Sequence, residues 1–125
     1  MNLKTICVIA LIATCCIIAV SCKGQTIDNK QLKEIYQKEN TIVVDVRTEK
    51  EFGEGHFENS INIPLSEISK QENQERLKPY ENIITICRSG RRSGKAMQIL
   101  KEKGFENVYN GGGWKSFETI IIQEE

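Results

Sequence analysis

The chain has 125 residues, of which 27% are charged and 39% hydrophobic, the balance of one ordinary globular domain. Its 17 Lys and Arg against 17 Asp and Glu give a formal net charge of zero. That excludes bulk attraction to nucleic acid or to an acidic membrane surface, so any cationic site must be local.

In chain order, the first segment reads as an export signal. Met1 to Thr5 carries one positive charge, Lys4, and residues 6–20 are then uncharged and almost wholly apolar. Ser21-Cys22 follows, and the chain turns polar at Lys23-Gly24-Gln25. A basic start, an apolar stretch and a small residue before a cut describe a secretory signal over 1–21. The apolar stretch falls short of the roughly 20 residues that span a bilayer, with a short signal anchor as the alternative. Ala19-Val20-Ser21-Cys22 resembles the bacterial lipoprotein signal, in which the cysteine after the cut is lipidated. The resemblance implies a lipid on Cys22, a linker through residue 26, and an exported protein tethered to a membrane of the cell envelope, in the periplasm. Cys7, Cys15 and Cys16 leave with the signal, so the domain over 27–125 keeps one thiol, Cys87. No disulfide framework is possible within it. A lone cysteine in that compartment is either buried and inert or present for its reactivity.

Leu32, Ile35 and Tyr36 at helical spacing, behind Thr26 or Asp28 as cap, predict a helix ending near Gln37. Thr41 to Val46 is a continuous β-branched run, which suits a strand buried on both faces of a parallel sheet. Glu49 to Gly53 predicts one helical turn, Ser60 to Ile63 a short strand, and Pro64 to Ile68 another short helix. Gln71 to Lys78 is polar enough for an exposed helix or a loop. Ile83 to Ile86 is the second apolar strand, and Ser93 to Lys103 a helix stopped by Gly104. Asn107-Val108-Tyr109 predicts a third short strand and Gly111-Gly112-Gly113 a flexible turn; Ile120-Ile121-Ile122 receives no assignment. Strands alternating with helices predict a single α/β domain with a central parallel sheet flanked by helices.

The chemistry concentrates in Cys87-Arg88-Ser89-Gly90-Arg91-Arg92. In open α/β sheets ligands bind beyond the carboxyl ends of the strands, and Cys87 lies at such an end. A helix starting near Arg92 or Ser93 aims its free N–H groups back at the loop, and a turn at Gly90 adds others as an anion nest. Helix N-termini and arginines lower a thiol's pKa, and the thiolate is the nucleophile. The same cradle stabilises an anionic substrate. Phosphatases that use cysteine place an arginine after five intervening residues, where this chain has Ser93; Arg92 comes one residue early. The shorter loop makes a smaller cradle, suited to one sulfur atom rather than a phosphate group.

Three stretches resemble the rhodanese family of sulfurtransferases. Asp45 to Phe57, continuing to Ser60-Ile61-Asn62-Ile63-Pro64, is similar to its "DVR…E(F/Y)…GH…NIP" signature. Cys87 to Arg92 resembles the active-site loop, and Gly104 to Gly112 the closing "GF..V..L.GG", with Asn110 near the usual leucine. The resemblance implies a rhodanese-like domain in which Cys87 attacks a donor such as thiosulfate and becomes a persulfide. The backbone of Arg88, Ser89, Gly90, Arg91 and Arg92 would cradle it, the three arginines attracting the anionic donor. A thiol or cyanide would accept the sulfur, with no metal or other cofactor and no nucleic acid. A sulfur carrier or partner-binding module without turnover is the alternative, and an arsenate- or phosphate-directed enzyme a third reading. Asp45 and Arg47 read as a structural ion pair or hydrogen-bond turn, His56 as structural, and Trp114 and Phe117 as core.

Overall fold

The two β-branched runs become the two central strands of a four-stranded, wholly parallel sheet in the order β2-β1-β3-β4. A computed structural model describes residues 27–123. The signal segment, the lipidation at Cys22, the linker and the possible cap at Thr26 lie outside the described residues. The elements are α1 (Asn29–Gln37), β1 (Thr41–Asp45), α2 (Glu49–Glu54), β2 (Ser60–Asn62), a 3-10 turn (Leu65–Glu67), α3 (Gln71–Leu77), β3 (Asn82–Cys87), α4 (Arg91–Glu102), β4 (Val108–Gly113) and α5 (Trp114–Ile122).

The period-2 alternation of strand side chains explains the continuous apolar runs. Ile42, Val44, Ile83, Cys87 and Val108 face one side, packed with Ile68, Leu77, Ala96 and Leu100 of the 3-10 turn's end, α3 and α4. Val43, Ile84 and Ile86 face the other, under Leu32 and Ile35 of α1 and Phe117 of α5. Both faces are covered, and every residue of β3 is buried. Tyr36, Phe57 and Phe117 meet edge to face, with centroids 5.1–5.8 Å apart, and join α1 to α5. Capping boxes start two helices: Asp28 with Gln31 on α1, and Thr48 with Glu51 on α2.

Of the two readings of the polar segment at Gln71, an exposed helix or a loop, the structure has the helix: α3 is exposed over most of its length and buries Leu77 and Asn73, whose Nδ2 donates to the Glu67 carbonyl at 2.9 Å. The start of helix α4 needs correction: it lies at Arg91, ahead of the expected Arg92 or Ser93, because Gly90 adopts φ +94° and turns the chain into the helix at once. The isoleucines at 120–122 complete α5.

The glycine run is not a flexible turn. It is the end of β4, paired with β3 through Cys87↔Gly113, after a register shift that leaves Gly111 unpaired. Glycine serves close approach here: a Cβ on Gly113 would lie 2.7 Å from the Arg88 carbonyl oxygen. Gly113→Ala is therefore expected to displace the start of the Cys87 loop and to cost about 1–3 kcal/mol, the usual range for overpacking, read as a lower denaturant midpoint.

Candidate functional site

Because all strands run the same way, the ends of β1 and β3 share one edge of the sheet. Asp45 closes one and Cys87 the other. Cys87 lies on the face covered by α4, so the first turn of that helix stands over its sulfur. The left-handed Gly90 points its N–H back at the thiol, with N to Sγ 3.0 Å. Ser93 Oγ lies 3.4 Å from the same sulfur. Burial, at 1% exposure, pushes the thiol up; hydrogen bonds from the Ser93 side chain and from the backbone of Ser93, Ser89 and Gly90 outweigh it and bring the thiol below its ordinary value.

The loop's three arginines divide. Arg88 and Arg91 are exposed, and Arg88 borders an open cleft of about 500 Å³ with Arg47, Glu51, Trp114 and Lys115. Arg92 departs from expectation. Its guanidinium forks onto Glu51 of α2, at 2.7 and 2.9 Å, so its charge is already matched within the protein. Glu51 is the N3 residue of the α2 capping box and accepts from Thr48 as well. The hydrogen bond from Arg92 holds its carboxyl at about 2, against an ordinary 4.5.

That depression fixes a pH dependence. The stabilisation from the pair is complete above the ordinary carboxyl value and is lost as pH falls through about 2. The two side chains are 28% and 33% exposed, so the effect is modest. Wild-type protein should exceed Glu51→Gln in stability near neutral pH, and denaturant melts should show the difference shrinking toward pH 2.

Asp45 and Arg47 form the expected ion pair. Arg47 Nε and Nη2 reach the two carboxylate oxygens at 3.0 and 2.7 Å, and Nη2 also donates to the Gly55 carbonyl at 2.7 Å. The guanidinium lies 4.9 Å from the Trp114 ring centroid, so Trp114 forms a wall of the cleft rather than plain core. Phe117 is fully buried, as expected. His56 is exposed, stacked on Phe52 with Nδ1 2.8 Å from the Phe52 carbonyl oxygen, which fits a structural role.

Sequence reasoning missed two polar partners of the loop. Asn110 Nδ2 donates to the Gly90 carbonyl at 3.0 Å, and its Oδ1 accepts from Ser93 Oγ at 2.6 Å and from Gly112 N at 2.9 Å. An amide where the signature usually has leucine was the available signal. In the sequence Ser93 stands out as a helix start and as the residue in place of an arginine, not as a partner of the thiol.

Residues 28–119 match the family model for the rhodanese-like domain. The thiosulfate sulfurtransferase PspE of Escherichia coli is 35% identical over 72 residues, 58% of this chain and 69% of that protein. A tRNA uridine(34) hydroxylase of Prochlorococcus marinus is 33% identical over 111 residues, 82% of this chain but only 36% of that protein. Among solved structures, a rhodanese-related protein of Thermoplasma volcanium superposes with a TM-score of 0.60 at 32% identity, covering 74% of this chain and 89% of the other.

Proposed function

The chain belongs to the rhodanese-like domain family, and from that membership we propose that it is a sulfurtransferase with Cys87 as its nucleophile. The observation that carries the reading is the Gly90 N–H set on the Cys87 sulfur at a strand end, where the thiol is drawn toward its anion despite burial. The thiolate attacks the outer sulfur of an anionic donor such as thiosulfate. A bond forms between Sγ and that sulfur, the donor's sulfur–sulfur bond breaks, and its electron pair leaves on sulfite. Cyanide or a small thiol then takes the outer sulfur and returns the pair to Sγ. Arg88 and Arg91 supply the positive field for the donor, while the backbone N–H groups of the loop receive the persulfide.

Two features favour sulfur over phosphate as cargo. Four residues separate Cys87 from Arg92, and that arginine is occupied by Glu51 rather than free to fork onto a phosphoryl group. Incubation with thiosulfate should add the mass of one sulfur to the Cys87 peptide, removable by cyanide, with no hydrolysis of an aryl phosphate. A folded protein with a free thiol and no adduct would exclude thiosulfate as donor and leave the carrier reading.

The proposal includes export and a lipid on Cys22, supported by the basic start, the apolar stretch and the Ser21-Cys22 junction. Cys22→Ala should then move the protein from the membrane fraction to the soluble one; unchanged fractionation would remove the anchor from the proposal.

A further inference from the structure

We propose that Ser93 and Asn110 form a one-proton toggle that follows the charge on the Cys87 sulfur, with Asn110 as its positioning residue. The toggle deepens the reading of Cys87 as the sulfur-transferring nucleophile and, for its part in the cycle, rests on it.

The argument begins with an amide that cannot be turned around. Gly112 N–H donates to Asn110 Oδ1 at 2.9 Å, and Asn110 Nδ2 donates to the Gly90 carbonyl at 3.0 Å. Both partners are backbone groups of fixed polarity, so oxygen and nitrogen of the amide are assigned without ambiguity. Oδ1 carries no proton. The 2.6 Å contact between it and Ser93 Oγ is therefore Ser93 donating.

A serine hydroxyl has one proton. With that proton on Asn110, the 3.4 Å contact to Cys87 Sγ is one in which Ser93 accepts and the thiol donates. The resting arrangement suits a thiol. Once the thiol ionises, the same contact would oppose two electron-rich atoms. The hydroxyl then rotates and donates to the thiolate. Asn110 Oδ1 keeps the Gly112 N–H, so no acceptor is orphaned by the rotation.

The rest of the cycle follows the same accounting. When Sγ bonds to the donor's outer sulfur, the negative charge moves to that outer atom, and no proton is transferred. Sγ no longer claims a donor, and the hydroxyl returns to Asn110. When the acceptor removes the outer sulfur, the pair returns to Sγ and the hydroxyl swings back. Asn110 thus competes with the thiolate for one proton and holds it whenever Sγ is uncharged.

The charged groups around the thiol and its cleft are Arg88, Arg91 and Arg92 on the loop and α4, the Asp45–Arg47 pair at the end of β1, Glu51 and Glu54 on α2, and Lys115 on α5 across the cleft. Glu51, held at about 2, stays ionised at neutral and alkaline pH.

The test reads thiol ionisation without any sulfur donor, so its outcome is separate from whether the protein transfers sulfur. Iodoacetamide alkylation, followed on the Cys87 peptide across pH, gives the midpoint. Asn110→Ala frees the Ser93 proton for the thiolate. It should lower the midpoint and speed alkylation below it by about fivefold, the worth of one neutral hydrogen bond. The Gly90 carbonyl keeps its bond from Gly94 N at 3.1 Å, so the loop retains a tie. Ser93→Ala should raise the midpoint, and in that background Asn110→Ala should shift nothing. An equal Asn110→Ala shift in both backgrounds, or a raised midpoint, would overturn the toggle. A readout on the unaltered protein guards against a variant that fails to fold: the Asn110 side-chain amide resonance should titrate with the midpoint of Cys87 alkylation. A resonance that stays flat through that midpoint overturns the proposal.

Discussion

Cys87→Ser is expected to abolish sulfur transfer, lowering turnover by at least about a thousandfold, as removal of a catalytic nucleophile commonly does. A serine hydroxyl is far too weak an acid to ionise in this cradle, and its oxygen does not form the persulfide. The fold should survive. The replacement is nearly isosteric, the position stays paired with Gly113 of β4, and Gly90 N–H finds an oxygen where it had a sulfur. Transfer assays paired with circular dichroism decide the matter. Retained transfer in a folded variant would move the chemistry away from Cys87.

The largest loss of stability should come from Asp45→Ala. Asp45 is fully buried, and the Arg47 side chain is only 6% exposed. Removing the carboxylate leaves a buried guanidinium without its counter-charge and the Arg47 backbone N–H without its acceptor, 3.0 Å away. Breaking such a pair costs about 3–5 kcal/mol, a large share of the about 5–15 kcal/mol that holds a domain folded. Urea melts should show a large drop in midpoint with the slope unchanged. A loss below about 1 kcal/mol would mean that Arg47 swings into the cleft and finds water.

These two residues also show what the sequence makes legible. β1 and β3 are plain as unbroken β-branched runs because a parallel sheet covered on both faces asks for apolar side chains at every position. Cys87 is plain because it ends such a run and opens a loop of glycine and arginine. The fate of Arg92 is not, since its partner Glu51 comes from a different helix and only the fold brings them together. Ser93 sits in the first turn of α4 and Asn110 on β4, 17 residues later, and nothing local says that one proton is shared between them. The glycines misled for a related reason. Gly111 to Gly113 read as flexible, whereas Gly113 is required by the space left beside the Arg88 carbonyl, which is set by β3. Ile120 to Ile122 were unreadable because three consecutive isoleucines carry no helical period of their own.

The parallel order β2-β1-β3-β4 bears on how the site comes into being. No strand here can pair with its neighbour through a hairpin, and β3 must find β1 across α2, β2 and α3. Such long-range closure is slow compared with helix formation. The partners of Cys87 come from the loop at Gly90 and from Ser93 in the first turn of α4, while β4, through Asn110, fixes where the Ser93 proton rests. Until β4 pairs with β3 that restraint is missing, so the full set of partners around the thiol exists only in the closed sheet.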